Sequence, residues 1–204
     1  MQRTMNRKTF RMTVTALLMA LQIVMTFTGI GYIPIGPLKL TLLTLPVAIG
    51  AVVCGPFTGL VLGATFGLTS FATALLGMDA LGALLLSFGW KYALFLAIVC
   101  IVPRILCGWL PALLHEKWKT KNETLSAAAC CALVAIINTA LFLGAFWLFF
   151  AGDLQSGALG FTVSSLWVLF VTWAGVNALI EVGVNLVLGT AIVKALSPVV
   201  KKLS

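Results

Sequence analysis

Acid is scarce in this sequence. Among 204 residues, five are Asp or Glu and one is histidine, too few for most of the constellations that carry catalysis. There is no acidic pair, no H-E-x-x-H and no Gly-x-x-x-x-Gly-Lys phosphate loop, so metal-assisted hydrolysis and ATP hydrolysis by this chain itself are excluded. The single histidine, His115, stands beside a run of lysines and reads as a structural residue at an interface. The five cysteines, Cys54, Cys100, Cys107, Cys130 and Cys131, include no C-x-x-C and all fall in apolar stretches. They read as small buried hydrophobes rather than redox or metal ligands, so neither cofactor nor metal is expected. Charge of either sign is also rare, at 9%. With no hydrophilic run long enough for a separate soluble domain, residues 1–204 form one domain.

What fills the space is hydrocarbon. Hydrophobic residues make up 61% of the chain and the mean hydropathy is +1.14, more apolar surface than a soluble core of this size can bury. The chain is therefore an all-α integral membrane protein, with room for several crossings of about 20 residues each. The net charge of +8 suggests nucleic acid at first sight, but the cations cluster at the ends of apolar runs. Arg3, Arg7, Lys8 and Arg11 precede the first run, Lys117, Lys119 and Lys121 interrupt the middle, and Lys194, Lys201 and Lys202 close the chain. Such clusters set topology and touch anionic headgroups; under the positive-inside rule all three are cytoplasmic. The basic start imitates a secretory leader. The apolar pattern continues, however, and "GYIPIGP" makes a poor cleavage site, so the first run is expected to remain as a span, with no lipidation motif at either end.

Runs near 13–30, 41–55 and 57–76 read as three spans, the second and third separated by the turn at Gly55-Pro56; runs near 124–150 and 165–196 follow the central cluster. Between them lies the stretch from Leu81 to Leu114, too long for one upright helix. With the N-terminus and "HEKWKTKNE" on the same side, this stretch supplies one crossing, starting near residues 96–100. The expected fold is thus a six-transmembrane-helix bundle with both termini cytoplasmic, "LGALLLSFGWKY" forming a loop or short helix on the outer face.

That topology puts Lys39 and Lys91 outside and Arg104 about one turn below the outer surface, three cations against the charge rule on one face. Each could be an interfacial side chain that snorkels to water, but an arginine within an apolar helix is costly without a partner, and a positive outer cavity suits an anion. Asn138 lies in "VAIINTALFLGAFW", and Asn177, Glu181 and Asn185 recur every four residues on one helical face. The asparagines serve either interhelical hydrogen bonding or a site. Glu181, the one acid well inside a span, is either functional or a structural partner for Arg104. Gly55, Gly59, Gly63 and Gly67 form a four-residue stripe expected to pack helices together.

The ordered stretches "IPIGPLKLTLLTLPVAIGAVVCGPFTGLVLGATFGLTSF", "VPRILCG", "INTALFL" and "NALIEVGVNLVLGTAIVKAL" resemble the substrate-capture (S) subunits of energy-coupling-factor (ECF) vitamin transporters, in the branch of pantothenate, folate and riboflavin carriers. The resemblance implies a pocket near the outer surface of a six-helix bundle in the bacterial plasma membrane. It implies a transmembrane coupling subunit and two cytoplasmic ATPases as partners. It also gives meaning to Ala16 and Ala20, a pair at four-residue spacing in "TVTALLMALQIVMTFTGI" that matches the family's contact with the coupling subunit.

Among vitamins, the positive cavity favours pantothenate, with Arg104 or Lys39 for the carboxylate and Asn138 and Asn177 for the amide and hydroxyls. Folate also fits by charge, with Trp90, Tyr32 or Trp173 to cover its ring; riboflavin needs no cation, and thiamine calls for more acid than Glu181. Two other classes stay open: a self-sufficient secondary carrier of a small anion, for which the paired repeats are not apparent, and a membrane-embedded enzyme, which lacks a catalytic constellation.

Overall fold

The computed structural model describes residues 7–35, 38–120, 122–160 and 162–202. Its first helix, α1 (Arg7–Phe27), leads into a two-stranded antiparallel hairpin, β1 (Tyr32–Ile35) and β2 (Leu38–Thr41), with Tyr32 opposite Thr41. Helices α2 (Thr44–Cys54), α3 (Pro56–Leu75), α4 (Ala80–Ser87), α5 (Trp90–Trp118) and α6 (Glu123–Ser156) follow. The chain closes with an unbroken helical rod made of α7 (Leu166–Leu169), a π-turn (Phe170–Ala174), α8 (Gly175–Val184), a second π-turn (Asn185–Gly189) and α9 (Thr190–Lys202).

Among the described residues, five helices are long and apolar enough to cross a membrane: α1, α3, α5, α6 and the segment Gly175–Pro198 of the last rod. Their outward faces carry Leu17, Leu148 and Leu179, each more than two-thirds exposed, which hydrocarbon accepts and water would not. Helix α2 departs from expectation. It has 11 residues, about 16 Å of helix against roughly 30 Å of hydrocarbon, because Leu38–Thr41 is strand and Gly55, at φ 95°, turns the chain before Pro56 starts α3.

The other departure is at α5, which begins at Trp90 rather than near residues 96–100. Gly89, at φ 111°, breaks the chain between α4 and α5, a conformation open to glycine at little cost. The stretch expected to cap one face is therefore divided: Asp79 caps the short α4 by accepting the Gly82 N–H at 2.9 Å, while "WKY" belongs to the first turn of α5. Arg104 consequently lies 14 residues into a 29-residue helix, about 21 Å from its start.

The glycine stripe packs α3 against α5. A Cβ on Gly59 would run into the Gly108 carbonyl, one on Gly63 into the Arg104 carbonyl, and one on Gly67 into the Ile101 backbone. Backbone contact of this kind supplies dense packing where lipid offers no hydrophobic drive. Gly55 belongs to the turn and not to this seam. All five cysteines are buried with free thiols.

Candidate functional site

The α3–α5 seam fixes the position of one side chain above all. Pro103 sits inside α5 and has no N–H, so the Val99 carbonyl four residues back lacks its helical donor. Arg104 fills the gap: its Nη1 donates to Val99 O at 2.8 Å. The guanidinium lies over two rings, its carbon 4.5 Å from the Phe142 centroid and 5.3 Å from that of Phe66, within cation–π range. The residue is 8% exposed, and Nε is buried without a partner.

Arg104 borders an open cavity of about 520 Å³ lined by α1, α3, α4, α5, α6, α8 and the hairpin. Asn138 and Thr139 reach it from α6, Trp173 from the first π-turn, and Asn177 and Glu181 from α8. Asn138 is buried and its Oδ1 has no partner, a group that costs free energy until something donates to it. Apolar walls come from Phe66, Phe142, Leu143 and Phe146. The volume and the few convergent polar groups fit a small-molecule site, for which roughly 300–1,000 Å³ is usual.

Glu181 does not spend itself on Arg104. Its Oε1 accepts the Thr41 backbone N–H at 2.6 Å, tying β2 to α8. One turn on, Asn185 Nδ2 donates to Thr44 Oγ1 and to Glu181 O, both at 2.8 Å. The i, i+4 spacing thus brings Asn177, Glu181 and Asn185 inward together, all buried, with the first two at the cavity and the third against the start of α2. Two π-turns bracket this polar stretch of the last rod, an irregularity common at functional sites. Tyr32, on β1, also borders the cavity.

Of the remaining residues expected at the site, Trp90 is 71% exposed and Lys91 is exposed, both in the first turn of α5 and outside the cavity lining. The early start of α5 places them in its first turn. Lys39 pairs with Pro34 across the hairpin, and its side chain lies outside the described residues. Ala16 and Ala20 are exposed on α1, with Leu17 and Val24 beside them. The wall residues Ser70, Thr73, Asp79 and Cys100 carried no distinguishing spacing; Phe66 and Phe142 could be found only by placing both helices against Arg104.

Two comparisons bear on this geometry. The family model for the substrate-specific component of ECF transporters matches residues 10–193. The chain is similar to the pantothenic acid transporter PanT of Lactococcus lactis subsp. cremoris (strain MG1363), 35% identical over 169 residues that cover 79% of each protein.

Proposed function

We propose, from the premise that this chain belongs to the family of ECF-transporter substrate-specific components, that it captures pantothenate in the cavity beside Arg104 and delivers it for import. The observation that carries this is the buried guanidinium with an open edge on the cavity wall. A carboxylate completes it with two parallel charge-assisted hydrogen bonds. Asn138 and Asn177 then meet the amide and hydroxyls, and Glu181 accepts from a hydroxyl while it holds the hairpin. Lys39, on the hairpin strand, contributes positive charge to this face, and Trp90 and Lys91 serve at the rim as the ligand enters. The name of the similar protein, a pantothenic acid transporter, supports the same vitamin.

In this reading the chain crosses a bacterial cell membrane six times with both termini cytoplasmic, the short α2 completing its crossing through the β1–β2 hairpin. The cavity opens outward. The exposed face of α1 with Ala16 and Ala20 meets a transmembrane coupling subunit, and two ATPase subunits supply the energy.

The test is equilibrium binding of purified protein to pantothenate, folate, riboflavin and thiamine. Tight binding of pantothenate alone is expected. Preference for a vitamin without a carboxylate would remove the role given to Arg104.

A further inference from the structure

Arginine is a long side chain, and a free one loses much rotamer freedom when it grips a ligand. Here that loss is met before any ligand arrives. On a helix, side chains lean toward the preceding turn, so Arg104 points back at the very carbonyl that Pro103 leaves without a donor. The proline ring also crowds that carbonyl and tilts it off the helix. With Nη1 held on Val99 O at 2.8 Å and its carbon over the rings of Phe66 and Phe142, the guanidinium keeps one free edge, Nε with Nη2. Neither nitrogen donates a hydrogen bond within the described residues, and Nε is buried.

We propose that Pro103 is a positioning residue for ligand selection: by withholding its N–H it turns Val99 into the anchor that locks Arg104, leaving a side-on fork that selects planar oxyanions over neutral groups of similar shape. This rests on the pantothenate reading for the choice of ligand, not for the lock itself. An alanine at 103 restores the helical N–H, which takes over Val99 O; Arg104 is then released and must be ordered by the ligand. Pro111, two turns along the same helix, provides the control, because replacing it restores a helical N–H four residues after Cys107 and not after Val99.

The experiment measures binding of pantothenate and of its alcohol analogue, in which CH2OH replaces the carboxylate, to wild type, Pro103→Ala and Pro111→Ala in detergent. Pro103→Ala is expected to weaken pantothenate by roughly three- to tenfold, the ordering cost of one long side chain, to leave the alcohol unchanged, and to have no counterpart in Pro111→Ala. Equal loss of both ligands, or equal loss in both proline variants, overturns the proposal, because the proline then acts through helix shape. If wild type does not prefer pantothenate over the alcohol, the ligand assignment fails on its own. The lock is still read from the ¹⁵N spectrum of the Arg104 guanidinium without ligand: restricted Nη rotation in wild type and Pro111→Ala, lost in Pro103→Ala, supports it, and equal mobility in all three refutes it.

Discussion

Helix α5 and the last rod both present polar groups to one cavity, but they are held by opposite means. The α3–α5 seam is closed by shape: Gly59, Gly63 and Gly67 meet Gly108, Arg104 and Ile101 at backbone distance, leaving no slack for a side chain to adjust. The rod is held by hydrogen bonds to the hairpin, Glu181 to the Thr41 N–H, and to the first residue of α2, Asn185 to Thr44, and its helix is interrupted by two π-turns. Contacts of the first kind yield only when the helices separate, whereas hydrogen bonds can be exchanged for others one at a time. The contrast assigns a rigid wall carrying the charge and an adaptable wall carrying the polar groups.

The largest effect should come from breaking the rigid wall. Gly63→Leu drives a side chain into the Arg104 carbonyl, at or beyond the ~3 kcal/mol upper range of overpacking, and should abolish the monodisperse peak in size-exclusion chromatography. Gly144→Leu, on α6 where a Cβ meets nothing within 4 Å, should leave it intact. Comparable loss in both would mean that the seam is not specially tight.

Next in size is removal of the charge that the wall presents. Arg104→Ala should weaken pantothenate binding by about 2–5 kcal/mol, the usual cost of truncating a buried charged contact, measured by titration calorimetry. A loss of less than about 1 kcal/mol would place the carboxylate elsewhere.

The adaptable wall should respond more mildly. Glu181→Gln trades a charge-assisted bond at Thr41 for a neutral one, a difference of about 1 kcal/mol. Faster hydrogen exchange at the Thr41 amide, with the α3–α5 amides unchanged, is the expected pattern; uniform acceleration would deny that the two walls are held independently. The smallest effect on binding belongs to α1. Ala16→Trp should change the affinity of the isolated subunit by no more than about twofold, as for a surface position, while uptake in cells is lost. Parallel loss of binding and uptake would make Ala16 part of the fold.

Much of this contrast could be read in the residues. Apolar run lengths locate the long helices, and the i, i+4 spacing of Asn177, Glu181 and Asn185 gathers them on one inward face. The glycine stripe announces a close seam but not its partner, because α5 offers only Gly108 in return. Trp90 and Lys91 fall in the first turn of α5 because a single glycine at φ 111° sets where that helix starts, and no periodicity marks where an apolar helix begins. The hairpin was hidden too: "GYIPIGPLKLT" is punctuated by glycine and proline like a loop, and its strands are held partly by an acid 140 residues away. The Val99 anchor of Arg104 needs a proline, the carbonyl four residues before it and an arginine one residue after, a relation within one helix that apolar periodicity does not register.

The central claim is that a locked Arg104 grips the carboxylate of the ligand. Its most direct test is Arg104→Lys, with pantothenate affinity and melting temperature measured on the same preparation. Lysine keeps the charge but not the planar fork, so affinity should recover only partly relative to Arg104→Ala while the protein stays folded. Wild-type affinity in folded Arg104→Lys protein would contradict the account.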